Sequence, residues 1–223
     1  MSIELPYEAG NEFLNKNCEL VVRAEAVQAN AAITEVTEAT EVKNSLANGG
    51  TPLLSSDIEL SEAVTVAGGN ATLDLNGNTL TVPAETALTV NNGGTLEITN
   101  GKVVCEKRSS AVYSHVEAIG GGTTITLDNA VIESGDDCLF IQNDGNSVGP
   151  TLNVKNSSIT AKTYCISTNA ATSDHYNVVI NVENSILVGD SVVMANIPSV
   201  VNIKNCTVLG GYHGVIVRSG TVN

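Results

Sequence analysis

The sequence predicts an all-β chain wound as a solenoid of parallel strands, and three observations lead there. The first is a recurring motif, aliphatic-x-aliphatic-x-Asn-x-x-aliphatic. It appears as Leu96-Glu97-Ile98-Thr99-Asn100 with Val103, Ile125-Thr126-Leu127-Asp128-Asn129 with Ile132, and Leu152-Asn153-Val154-Lys155-Asn156 with Ile159. It continues as Ile180-Asn181-Val182-Glu183-Asn184 with Leu187 and Val201-Asn202-Ile203-Lys204-Asn205 with Val208. The asparagines lie 29, 27, 28 and 21 residues apart, a spacing typical of stacked repeats. The second observation is a short strand nine residues after each of the last four asparagines: Cys138–Ile141, Cys165–Ser167, Val193–Ala195 and Gly214–Val217. A constant offset within a variable period describes a fixed turn carrying loops of different length. The third is composition. Apolar residues make up 42% of the chain but aromatics only 3%, with no Trp, so the core must be stacked Val, Ile, Leu and Ala.

The elements follow in order. Residues 1–33 carry no repeat and read as an N-terminal arm, and residues 34–223 hold the repeat domain with its cap. A short helix comes next, with Thr37 as the expected N-cap, Glu38 and Glu41 in the first turn, and Gly49-Gly50 as the stop. Ala39, Val42 and Leu46 fall on one face, so the helix should cover the exposed first turn of the coil. Pro52-Leu53-Leu54 and Ile58-Glu59-Leu60 begin the strands, and a degenerate copy, Leu73-Asp74-Leu75-Asn76-Gly77 with Leu80, opens the regular repeats. Alternation within each strand turns the aliphatic residues inward and the residues between them outward. Each repeated Asn is expected at a corner, bonding backbone groups of its own turn and stacking on the Asn above. At Gly220-Thr221-Val222-Asn223 another turn would be starting and no cap is visible, so either further chain or a partner subunit is expected there.

The formal charge of −14, without any Lys- or Arg-rich stretch, argues against nucleic acid as a partner. No 18-residue apolar run predicts membrane insertion, and no basic-then-apolar leader follows Met1. Either the chain folds in a cytoplasm or Met1 replaces a natural signal. Five cysteines without CxxC spacing give no metal or disulfide framework. Cys138 and Cys165 share a position in the repeat and are expected to stack as small, reduced, buried side chains.

On these repeats and the capping helix, residues 35–223 resemble the right-handed parallel β-helix superfamily, the pectin-lyase-like fold. That resemblance implies no single activity, because lyases, hydrolases, adhesins and phage spikes share the architecture. Within it, Ser134-Gly135-Asp136-Asp137-Cys138 is similar to the Gly-Asp-Asp-Cys motif of polygalacturonase-type hydrolases, with Tyr212-His213-Gly214 as a tempting partner. Inverting hydrolysis needs two carboxyl groups flanking the scissile bond. The register argues against it: Asp137 and His213 each follow their corner Asn by eight residues, but sit three turns apart, roughly 14 Å. Tyr164 and Val192 are expected between them. Lyase chemistry fares worse, since Arg108 and Arg218 are the coil's only arginines and lie far apart along it. No catalytic residue, metal site or cofactor is therefore expected. His115 and His175 are expected on loops or outward faces, and His213 at a strand edge.

The loops from Asn143 to Pro150 and from Asn169 to Tyr176 interrupt adjacent turns at the same place and should protrude side by side. Asn143, Asp144, Asn146, Asp174, His175 and Tyr176 are the candidate glycan-binding residues, with Tyr176 the one stacking surface. The alternative is that these loops are merely tolerated insertions. The resemblance implies a structural or adhesive appendage of a bacteriophage virion, of head-fibre or tailspike type. Its arm at residues 1–33 would dock to a capsid or other virion protein, its coil would face a host glycan surface, and three copies would form a parallel homotrimer. Assembly would take place in the host cytoplasm. The alternative function is a secreted or cell-surface bacterial protein that binds or cleaves polysaccharide. A purely structural spacer without ligand is the third reading.

Overall fold

The computed structural model describes residues 33–84, 86–106, 115–143, 148–170 and 178–223. These residues form a parallel β-solenoid of about six turns, with one short helix among the described residues, near the start. In chain order the elements are β1 (Ile33–Val36), α1 (Ala39–Ala47), β2 (Thr51–Leu54), β3 (Ile58–Glu59), β4 (Val64–Ala67), β5 (Asn70–Asp74), β6 (Thr79–Val82) and β7 (Ala87–Asn91). Then come β8 (Thr95–Cys105), β9 (His115–Ile119), β10 (Thr124–Ser134), β11 (Leu139–Asn143), β12 (Thr151–Lys155), β13 (Ser158–Ala161) and β14 (Ile166–Ala170). The last are β15 (Val178–Glu183), β16 (Ile186–Ala195), β17 (Ser199–Lys204), β18 (Thr207–Val217) and β19 (Gly220–Val222). The long strands β8, β10, β16 and β18 each bend around a corner and serve two faces.

The pairings sort these strands into three faces, each a stack in parallel register. One face runs through β5, β8, β10, β12, β15, β17 and β19. Its inward column is Leu73, Ile98, Leu127, Val154, Val182 and Ile203. A second face carries the column Leu80, Val103, Ile132, Ile159, Leu187 and Val208. The third carries Leu88, Val116, Leu139, Ile166, Val193 and Val215. All but the last member of each column are buried. Burying such a side chain is worth about 1.5–3 kcal/mol, so stability grows turn by turn.

The corners explain the repeated asparagines. Asn76, Asn100, Asn129, Asn156, Asn184 and Asn205 all have φ between 48° and 58°, the left-handed region that Asn tolerates better than other side-chain-bearing residues. The residue after each is small: Gly77, Gly101, Ala130, Ser157, Ser185, Cys206. At Gly101 the cause is close approach, whereas Gly77 has open space around it and takes φ +81°. A Cβ on Gly101 would lie 2.5 Å from Leu75 Cβ and 2.6 Å from the Asn78 carbonyl oxygen. Where serine fits, its hydroxyl ties turns together: Ser157 Oγ accepts from the Ala130 N–H at 3.1 Å, and Ser185 Oγ from the Ser157 N–H at 3.1 Å.

The expected asparagine ladder exists in mixed form. Asn129 Nδ2 donates to Asn100 Oδ1 at 3.1 Å, and Asn205 Nδ2 to Asn184 Oδ1 at 3.3 Å. Elsewhere aspartate replaces the amide acceptor: Asn100 Nδ2 donates to Asp74 Oδ1 at 3.2 Å, and Asn156 Nδ2 to Asp128 Oδ1 at 2.9 Å. A second ladder climbs the outside of the first face. Asn181 Nδ2 donates to Asn153 Oδ1 at 2.9 Å, Asn202 Nδ2 to Asn181 Oδ1 at 2.9 Å, and Asn223 Nδ2 to Asn202 Oδ1 at 2.8 Å.

The helix is the cap that the sequence predicts. Val42 and Leu46 are fully buried, and α1 packs on β2, β4 and β5. Its N-cap is Glu38 rather than Thr37. The Glu41 carboxylate reaches back and accepts from the backbone N–H of Thr37 at 2.8 Å and of Glu38 at 3.3 Å, tying down the chain that enters the helix. The helix ends in a Schellman turn, with Gly49 N–H to Leu46 O at 3.1 Å and Gly50 N–H to Ser45 O at 2.8 Å. Gly49 takes φ +70° there. The repeat pattern does not predict β1, which pairs in parallel with β2 ahead of the helix, nor the third-face strands β4, β7 and β9.

Candidate functional site

The corner between the second and third faces gathers the most chemistry. The segment from Ser134 to Cys138 joins β10 to β11, and the next turn brings Lys162, Thr163 and Tyr164 alongside it. The Cys138 N–H donates to the Tyr164 carbonyl at 2.9 Å, which fixes this register. Ser134 Oγ shapes the bend, donating to the Asp137 carbonyl at 2.7 Å and accepting from the Asp136 N–H at 3.1 Å. Both carboxylates then face Thr163. Thr163 Oγ1 stands 3.1 Å from Asp136 Oδ1 and in still closer contact with Asp137 Oδ1. Asp137 also accepts from the Tyr164 N–H at 3.3 Å and from Ser167 Oγ at 3.4 Å.

Burial pushes the Asp137 carboxyl above the ordinary carboxylate range, the Thr163 and Tyr164 donors pull it down, and the adjacent Asp136 charge adds to the rise. An open groove of about 280 Å3 at the end of β10 is lined by Val104, Cys105, Glu133, Ser134, Gly135 and Thr160, without either aspartate.

The register of the column above this corner corrects one expectation. Leu139 pairs with Ile166, Ile166 with Val193, and Ser191 with His213, so the column reads Asp137, Tyr164, Ser191, His213. Ser191, not Val192, stands between Tyr164 and His213. The cause is a turn one residue shorter at this corner: Gly189 pairs with Gly210 and Ser191 with His213, leaving two residues opposite one. Val192 faces inward instead, fully buried in the column of Cys138 and Cys165, and the short third-face strand of this turn is likewise displaced by one residue. Asp137 and His213 remain three turns apart. His213 Nδ1 lies 3.3 Å from Ser191 Oγ, and its exposed ring tilts against that of Tyr212 with centroids 5.4 Å apart.

Cys138 and Cys165 stack at one register position, as expected. Cys105, Cys138 and Cys165 are buried free thiols, while Cys206 is partly exposed. Burial raises Cys105 and Cys165 to about 12, and Cys138 well above the usual thiol range. Among the described residues, no group of three His, Cys, Asp or Glu side chains converges in a metal-binding arrangement.

The candidate glycan loops fall differently. Asp144, Asn146, Asp174, His175 and Tyr176 lie outside the described residues. Asn143 is the last residue of β11 and pairs with Ala170 at the end of β14. On the far side, Thr151 at the start of β12 pairs with Val179 in β15. Both loops therefore leave and rejoin adjacent turns at matching levels. The equivalent connection on the next turn, from Ala195 to Ser199, takes only three intervening residues. His115 opens β9, and His175 lies outside the described residues. Sequence reasoning missed Thr163, whose only signal was its position 27 residues after Asp136.

No family model matches the chain, and neither a curated protein nor a solved structure is significantly similar to it.

Proposed function

We propose that this chain is a structural and adhesive appendage of a bacteriophage virion, of head-fibre or tailspike type within the pectin-lyase-like β-helices. In this reading residues 1–33 dock to a capsid or other virion protein, and three copies associate in parallel. The coil is a rigid stalk that holds loops towards a host glycan. The observation that carries the reading is the matched departure of two neighbouring loops, bracketed by Asn143 paired with Ala170 and Thr151 paired with Val179. A scaffold stiffened by side-chain ladders, with two long connections anchored on adjacent turns, suits recognition by display.

A second reading has one observation in its favour. Asp137 is a partly buried carboxyl pushed towards its neutral form beside Asp136, as a general acid for polysaccharide cleavage would be. His213, three turns away, does not complete such a set.

A glycan array probed with the wild-type chain and with the Asp174→Ala/His175→Ala/Tyr176→Ala variant tests the display reading. Binding to a bacterial surface glycan that the triple variant loses supports it. Binding that survives the triple variant, or release of reducing ends that depends on Asp137, moves the function to the corner that carries Asp136 and Asp137.

A further inference from the structure

The contact between Asp136, Thr163 and Asp137 has a proton count that two ionised carboxylates do not satisfy. Thr163 Oγ1 is within hydrogen-bond reach of a carboxylate oxygen on each aspartate. A hydroxyl has one proton to donate. With both aspartates charged, one contact is a hydrogen bond and the other sets lone pairs against lone pairs. With one carboxyl protonated, both contacts become hydrogen bonds in a chain, O–H to O–H to carboxylate.

We infer that Asp136, Thr163 and Asp137 share one additional proton in the folded coil, forming an acid-stabilised clasp between two successive turns. Asp137 is the carrier. It is partly buried, and its contacts other than Thr163, from the Tyr164 N–H and Ser167 Oγ, are long at 3.3 and 3.4 Å, so its charge is weakly held. Among the described residues, the Asp136 carboxylate meets no side-chain donor other than Thr163.

The titratable groups around Asp137 are nearly all acids. Asp136 adjoins it, Glu133 stands at the end of β10, and the Cys105, Cys138 and Cys165 thiols lie towards the core. Tyr164 contributes a backbone donor from the following turn. Lys162, exposed on that turn, is not in ion-pair contact with Asp137. Burial drives the carboxyl upward and outweighs the Thr163, Tyr164 and Ser167 donors, which favour the charged form.

The linkage sign follows. A carboxyl whose folded-state affinity for protons exceeds its unfolded one stabilises the fold fully below the unfolded value, near pH 4. That contribution is lost as pH rises through the folded value. The coil should therefore gain stability from this group on mild acidification, opposite to the usual behaviour of paired carboxylates. This goes beyond the display reading and does not depend on it.

The test is urea unfolding of the full chain from pH 4 to pH 8, wild type against Asp137→Asn. The asparagine amide can donate to Thr163 at every pH. The wild-type unfolding constant, relative to the variant, should rise by up to tenfold per pH unit across the titration. The Asp137 side-chain carboxyl 13C signal, followed over the same range, should titrate above the ordinary aspartate range. Parallel pH profiles for the two proteins, or a carboxyl signal that titrates at or below that range, would overturn the clasp. If Asp137→Asn does not fold, the 13C titration of the wild type decides alone.

Discussion

Asn129 Nδ2 donates to Asn100 Oδ1 at 3.1 Å, joining residues 29 positions apart across one turn of the coil. Both sit at φ above +50°, so one residue type serves the corner twice: it accepts the left-handed backbone and offers an amide to the turn below. That double duty separates two costs that substitution can measure.

Asn129→Ala should destabilise the chain by about 2 kcal/mol, roughly half from forcing alanine into the left-handed region and half from the lost ladder bond. Asn129→Gly relieves the backbone cost and should lose only about 1 kcal/mol. Urea denaturation of the two variants side by side checks the difference. Equal losses would mean that the corner conformation contributes nothing.

Gly101→Ala puts a methyl group against Leu75 Cβ and the Asn78 carbonyl. Both neighbours belong to stacked turns, so the chain must shift as a unit, at about 1–3 kcal/mol. Gly77→Ala, where no atom lies within 4 Å of the added Cβ, meets only the strain of its positive φ and should cost about 1–2 kcal/mol. Thermal melts of the two variants, with Gly101→Ala expected to fall at least as far, check the steric account.

Leu46 is fully buried where α1 covers the first turn. Leu46→Ala should cost about 2–5 kcal/mol and expose aliphatic turn ends to solvent. Size-exclusion chromatography should then show high-mass species that the wild type lacks. A loss under 1 kcal/mol without association would mean that the helix is not a cap.

In a Cys18→Ser background, Cys206 should be the one thiol among residues 33–223 that a disulfide reagent labels quickly at pH 8. Cys105, Cys138 and Cys165 are buried, and their thiolates are suppressed by the loss of solvation. Those three should react only as fast as the chain unfolds. Rapid labelling of Cys138 in the folded protein would contradict the stacked column.

The coil was legible because its rules are local. Alternation within strands, an Asn that tolerates positive φ, and a spacer of constant length repeat turn after turn, so a few letters predict the whole stack. The second ladder was written in the same motifs, as Asn153, Asn181 and Asn202, but an outward position between two aliphatics carries no sign of what faces it. The site was less legible. Thr163 meets Asp136 and Asp137 only through the stacking of two turns, and nothing in its flanking residues marks it. The column error at Val192 has a similar origin, because a one-residue difference at a corner leaves the hydrophobic pattern of both strands intact. Side chains beyond the last paired residues of β11 and β14 are set by loop lengths that the repeat does not constrain.

The most direct test of the appendage account is the solution mass of the chain by light scattering, with and without residues 1–33. A stable trimer of the full chain, lost when the arm is removed, is the predicted result. A monomer in both forms would contradict a self-assembling appendage and favour a single-chain protein that binds or cleaves polysaccharide.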